Sequence, residues 1–344
     1  MRRLLPVAGA VGLVALLAAL PLLRVSVPGV LPGPTYTPGT LQLLALALVL
    51  GALALTYDLL FGFAGLLSFG HALFFAAGVY VLGVTLTRWH WTLLPAVGVT
   101  LLAGLVLALF VGAVSLRVGG IAFAMVTLAF AQAGSVLAYR NPGGLTGGEE
   151  GLGLDTTYLP ASLVGVANTR NLYWLTLALL VVVYAVVTWV TGSRAGRVLQ
   201  AVRENERRVQ VLGLQPYTVK LLAFVVAGTL ASVLGMAYLL LQGGASPHVT
   251  TPEFTLALLV MVVLGGAGRR WGAVLGGVVY TLLDQRLSTL AASPLVADLP
   301  APLRAPLSQP LFLLGTLFVL VVLFLPGGLA RVVRRGGRRE GGAA

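Results

Sequence analysis

The sequence contains no cysteine, a single lysine (Lys220), ten acidic residues and three histidines in 344 positions. Without cysteine there is no disulfide, no thiolate nucleophile and no iron–sulfur ligation. His71, His90 and His248 are scattered without metal-ligand spacing, and no catalytic, metal or cofactor-binding residue is expected. No G-x-x-x-x-G-K-[ST] loop occurs, so if ATP drives this protein, another chain hydrolyses it. Charged residues make up only 9%, against about 25% in soluble proteins. That is too little polar surface to coat a water-facing globule. Strict apolar–polar alternation is missing as well, which excludes a β-barrel, and no period of about 20 to 50 residues marks a repeat array.

What remains is apolar. Hydrophobic residues are 58% of the chain and the mean hydropathy is +0.98. Apolar runs alternate with short polar or Gly/Pro gaps, which predicts an all-α polytopic helical membrane protein of about ten spans. The runs cover 4–23, 40–58, 70–87, 92–116, 118–139, 171–191, 221–242, 254–268, 273–292 and 310–328. An α-helix rises about 1.5 Å per residue, so about 20 residues cross a hydrocarbon core of about 30 Å. The run 254–268 is short for a crossing and predicts a tilted, broken or re-entrant helix. The first run follows Arg2-Arg3 but is long and lacks an A-x-A site, so it reads as a retained anchor rather than a signal peptide. The chain thus divides into an anchor span with its loop (1–39), a transmembrane domain (40–328) and an Arg-rich, Gly-rich tail (329–344) that reads as disordered.

The net charge is +12. In a soluble protein that excess would suggest nucleic acid. Distributed over ten crossings with the N-terminus inside, sixteen basic residues fall in inner segments and five in outer ones, with Arg286 inside a span. That bias obeys the positive-inside rule, puts both termini in the cytoplasm and removes the reason to expect nucleic acid.

Several stretches break the apolar pattern. Gly62, Gly65, Gly70 and Ser68 interrupt helical order just before His71. They predict either a broken helix beside a permeation path or close helix packing with a cap at Ser68. The loop 192–220 predicts one or two short amphipathic helices, with Ser193 as a cap and Gly213 as a stop. Val198, Val202, Val209 and Leu212 fall near one face and Arg197, Glu204 and Arg208 opposite. Such a stripe lies on anionic lipid or fills a groove on a soluble partner. Asp58, Asp284 and Arg286 are ionisable at membrane depth and serve helix pairing or, for the acids, ion coupling. Thr127 and Gln132 bind a neighbouring helix or a substrate, and Glu149 and Glu150 are solvated loop acids or contacts for an external partner.

Four stretches, taken in order, resemble the LivM branch of the branched-chain amino acid ABC-transporter permeases. They are GLLSFGHALFFAAGVY (65–80), GGIAFAMVTLAFAQ (119–132) with LTGGEEGL (145–152), SRAGRVLQAVRENERRVQVLGLQPYTVKLLAFVVAG (193–228) and VVLGGAGRRWGAVLGG (262–277). The resemblance implies a non-enzymatic permease subunit in a bacterial plasma (inner) membrane. Its implied partners are a second, LivH-like permease, two cytoplasmic ATPases and an extracytoplasmic substrate-binding protein. It also implies that the loop 192–220 is the ATPase-coupling helix, with Arg203, Glu204, Asn205 and Gly213 at its core. Gly65, Ser68, Gly70 and His71 are implied to lie near the translocation path, for which Thr127 and Gln132 are further candidates. Urea, short-amide and other amino acid permeases of the same family are similar, and an ion-coupled transporter using Asp58 or Asp284 is the alternative from another class.

Overall fold

The computed structural model describes residues 4–26, 31–291, 309–324 and 327–330. The expectation of a disordered tail falls almost wholly outside them. Each of the ten apolar runs coincides with a helix: α1 (Leu4–Ala19), α2 (Pro38–Asp58), α3 (His71–Thr87), α4 (Leu93–Ser115), α5 (Gly120–Arg140), α6 (Thr169–Gly192), α9 (Pro216–Gln242), α10 (Pro252–Gly265), α11 (Arg270–Ala291) and α12 (Pro310–Phe324). Two short helices, α7 (Arg194–Glu204) and α8 (Glu206–Val211), form the loop between α6 and α9. A two-residue antiparallel pair, β1 (Leu152–Gly153) with β2 (Gly244–Ala245), closes one end. The described chain is therefore all-α apart from that clip.

The helices start and stop where the sequence says they should. Proline occupies the first helical position of α2, α9 and α10, where its missing N–H costs nothing. Asn141 and Gly243, both in the left-handed conformation, end α5 and α9.

Length refines the expectation of ten spans. Five of the described helices are long and apolar enough to cross a membrane: α2 with its following turn (Pro38–Phe63), α4, α5, α6 and α9. A sixth is counted if α10 and α11, bent by 119° at their junction, form one span. The short run expected near 254–268 is thus the place where the helix breaks. At 17 residues α3 falls short too, because its sequence starts with an irregular stretch, 64–70, rather than a helix.

The centre of the bundle is α2, whose span is almost wholly buried and which packs against α11, α6, α9 and α10. Between equally apolar helices the hydrophobic effect gives little drive to associate, so close backbone approach is what holds them. Glycine allows it at several crossings, among them α2 on α11 and α3 on α9. A methyl on Gly277 of α11 would sit 2.6 Å from the Gly51 Cα of α2, and one on Gly78 of α3 would overlap the Ser232 backbone carbonyl of α9.

Gly78→Ala should therefore cost about 1–3 kcal/mol through overpacking. Gly98→Ala, with nothing within 4 Å of the added carbon, should be neutral or slightly stabilising. Thermal unfolding in detergent separates the two, and equal stabilities would refute the close α3–α9 crossing.

Candidate coupling and translocation site

The ends of α2 and α4, the starts of α5 and α9, the α10–α11 turn and the α7–α8 pair gather at one end of the molecule, around Arg203 and Lys220. Ser193 caps α7, its hydroxyl accepting from the Gly196 N–H at 3.1 Å. Asn205 ends α7 in extended conformation and caps α8, its side chain accepting from the Arg208 N–H at 3.0 Å. One residue thus sets the kink between the two helices. Gly213 lies beyond α8 with φ +78° and open space around it, so glycine is needed for conformation rather than for room.

The apolar stripe of this loop is not free. Leu199, Val202 and Val209 are buried in the protein's own body and Val198 is half-buried. Leu212, expected to continue the stripe, is instead exposed, as are Val211 and Leu214. Two helices broken at Asn205 cannot keep one continuous face. What is left for lipid or a partner is the tip 211–214 and the charged side bearing Arg197, Glu204, Arg207 and Arg208.

Arg203, itself exposed, reaches from this loop to the end of α2. Its guanidinium donates to the Gly62 carbonyl, and its stem lies where a methyl on Gly65 would come to 2.8 Å. Gly62 belongs to a wide, π-helical turn, Leu59–Phe63, which ends α2. In such a turn the hydrogen-bonding register slips by one residue, which makes a carbonyl available to an outside donor. A recess of about 290 Å³ opens between this turn, the α4–α5 connection and the loop, lined by Gly65, Arg203, Glu204, Asn205, Glu206 and Lys220 among others. Lys220 is already paired with Glu206 at 2.7 Å.

From the recess the irregular stretch 64–70 leads to α3. Ser68, Gly70, His71 and Thr127 come together here, all buried. The Thr127 hydroxyl accepts from the Phe69 N–H at 3.1 Å and donates to the Ala124 carbonyl at 2.9 Å. A methyl on Gly70 would meet the Thr127 carbonyl at 3.0 Å. Ser68 does not cap α3: its hydroxyl accepts from the Gly70 N–H, inside the irregular stretch, and the cap position is Gly70 itself. The Thr56 hydroxyl lies 2.7 Å from the Leu53 carbonyl and 2.9 Å from His71 Nε2, and His71 Nδ1 is buried without a hydrogen-bond partner among the described residues. Gln132 is not part of this cluster; it lies on the exposed face of α5.

The residue that sequence reading missed is Thr255. Its hydroxyl accepts from the Ala72 N–H at 3.1 Å, so the first turns of α3 and α10 face each other. A threonine in an apolar run gives no hint of this, because its partner lies 183 residues away. The second irregular stretch, 243–251, precedes α10 as 64–70 precedes α3, and Thr250 of that stretch bonds Ser135 of α5 at 3.1 Å. Irregular backbone at this depth is tolerated only against protein or a water-filled cavity, and most of both stretches is covered by protein. Asp58 accepts from the Gly268 N–H at 2.8 Å, whereas Asp284 is exposed on α11, so the two acids form no relay. Glu149 and Glu150 are exposed in the loop after α5, which the Asn141 side chain braces by accepting from the Thr146 and Gly147 N–H groups. In the same loop, the Thr157 hydroxyl and N–H hold the exposed Asp155 carboxyl below its ordinary value.

A family model described as the permease component of branched-chain amino acid transport systems matches residues 39–322. The chain is 27% identical over 332 residues (89% of this chain, 73% of the relative) to the high-affinity branched-chain amino acid transport system permease protein LivM of Escherichia coli strain K12. It is 26% identical over 267 residues (67% and 80%) to the corresponding protein BraD of Pseudomonas aeruginosa. It is also 28% identical over 251 residues (70% and 66%) to the autoinducer 2 import system permease protein LsrC of Escherichia coli. No solved structure matches.

Thr127→Val should leave the half-buried Phe69 N–H without an acceptor and cost about 1 kcal/mol. Thr127→Ser should retain most of the stability. Chemical or thermal denaturation in detergent reads the difference, and a valine variant as stable as the parent would refute the splice between α5 and the irregular stretch.

Proposed function

Because the chain belongs to the family of branched-chain amino acid transport system permease components, we propose that it is the membrane subunit of an ATP-driven importer of leucine, isoleucine and valine. The observation that carries this reading is the α7–α8 loop, kinked at Asn205 and anchored through Arg203 to the start of a broken crossing. Two cytoplasmic ATPases dock on its exposed tip and charged side, and Arg203, Glu204, Asn205 and Gly213 shape the docking element. The sixteen-to-five distribution of basic residues supports a cytoplasmic location for this end and for both termini in a bacterial inner membrane.

Ten crossings require several that are not full-length helices, α3 and α10 among them. The 14 residues of α10 span about 21 Å and the 17 of α3 about 26 Å. The stretch 64–70, and the stretch 243–251 with its 3-10 turn at Pro247–Thr250, supply the missing length, since both rise more per residue than an α-helix. The first turns of α3 and α10 then meet inside the membrane. Their positive ends favour a carboxylate, as in other transporters with broken helices. The exposed face of α5 carries Gln132 among Met125, Ala129, Ala133 and Val136. An amide on a membrane-depth face is best matched by a second permease subunit and the water-filled path between the two. Ser68, Gly70, His71 and Thr127 line the hinge of that path, and Gly65 its cytoplasmic mouth. Substrate, delivered by an extracytoplasmic binding protein, crosses as ATP binding and hydrolysis rock the spans between outward-open and inward-open states.

The assembled transporter in proteoliposomes tests this. Uptake should need ATP inside and binding protein outside, persist with an ionophore present, and compete with unlabelled leucine, isoleucine and valine but not with urea or autoinducer 2. Gly213→Val, forced into a conformation a branched residue avoids, should lower uptake per ATP hydrolysed by about tenfold, a coupling change of ordinary size. Uptake that collapses with the ionophore at constant ATP would overturn the assignment.

A further inference from the structure

Three segments far apart in sequence converge on Gly62. The Arg203 guanidinium of α7 holds its carbonyl. Asp58, one turn earlier in α2, takes the Gly268 N–H of the α10–α11 turn on Oδ1 at 2.8 Å. A methyl on Gly62 would overlap both the Asp58 carboxylate and the Gly268 nitrogen, and one on Gly268 would lie 3.2 Å from the Gly62 oxygen and 3.4 Å from Arg203 Nη1. The second Asp58 oxygen, Oδ2, is buried and has no hydrogen-bond partner among the described residues. The Arg203 charge is near enough to act on that carboxylate.

We propose that Asp58 and Arg203 form a two-position relay through which α7 moves the α10–α11 turn together with the 64–70 stretch. The inference rests on the α7–α8 loop being the ATPase-docking element. In the arrangement described, Arg203 sits on the Gly62 carbonyl and Asp58 ties down Gly268. The second arrangement moves the guanidinium from that carbonyl across to Asp58 Oδ2, the vacant acceptor on the carboxylate that holds Gly268. A buried carboxylate oxygen without a donor is costly, and a charge-assisted bond from arginine removes that cost. Two discrete hydrogen-bonded arrangements are what an element needs in order to pass on displacement rather than absorb it. Because Gly268 is held by the same carboxylate, the turn between α10 and α11 follows whichever position Arg203 takes. Asp58 is thereby assigned to coupling, since one of its oxygens is committed to a backbone N–H.

The test uses the complete transporter in proteoliposomes and reads substrate taken up per ATP hydrolysed. Asp58→Asn and Arg203→Gln should each lower that ratio about tenfold, and Asp58→Asn, which lies outside the docking element, should keep ATPase turnover within about twofold of the parent. The double variant should be no worse than either single, since paired residues are not additive. The cysteine-free chain also accepts a clean spin-label pair at Val211→Cys and Trp271→Cys, both exposed. Their separation should stay constant between nucleotide-free and vanadate-trapped states in the parent and change on trapping in Asp58→Asn. Unchanged ratios in both single variants, or losses that simply add, overturn the relay. If Asp58→Asn fails to assemble, Arg203→Lys, which keeps the charge but not the planar fork, takes its place: a lowered ratio supports the relay and an unchanged one overturns it. If the parent neither binds the ATPases nor shows ATP-driven uptake, the docking reading itself falls and the relay with it. The relay alone falls when parent and variants couple equally well.

Discussion

Inside a bilayer, every backbone N–H and C=O needs a partner from the protein. A straight helix meets that requirement by itself. Where a helix is broken, side chains must take over, and the described structure is organised around the places where they do. Thr127 accepts the Phe69 N–H, Thr255 accepts the Ala72 N–H, Ser68 accepts the Gly70 N–H, and Arg203 and Asp58 bind the Gly62 carbonyl and the Gly268 N–H. All but Ser68 splice two segments that share no sequence neighbourhood. Few polar side chains are available in so apolar a chain, and a good part of those at depth are spent on this work.

Close glycine crossings hold the splices in register. With α2 buried at the centre and α3 pressed onto α9, small displacements at the basic end are transmitted rather than absorbed, since packed interiors deform little. The α7–α8 loop sits at that end. Its apolar residues Leu199, Val202 and Val209 are used to seat it on the body, which leaves charge and the tip 211–214 facing outwards. A loop so built is rigidly attached on one side and recognisable on the other.

Much of this architecture is legible in the amino-acid pattern. The ten apolar runs each hold a helix, Ser193 and Gly213 mark the loop's boundaries, and the short run after residue 252 breaks where its length says it should. The grouping of Ser68, Gly70 and His71 is legible in part, because glycine and serine interrupt helical order in one stretch. That the loop's apolar stripe is covered is not legible, because helical spacing marks a face as apolar without saying what packs on it. Nor is the role of Thr255, which pairs across more than half of the chain's length.

Composition, run length and charge distribution determined the membrane setting, the helical class and the order of segments, since burial of apolar surface in lipid depends on local sequence alone. The ordered stretches determined the family. Only the tertiary structure decided that α3 falls short of a crossing, that Asp58 serves Gly268 rather than another acid, and that Arg203 reaches Gly62. Those outcomes depend on hydrogen bonds between residues up to 210 positions apart, and no local pattern of hydrophobicity encodes which buried polar groups will meet.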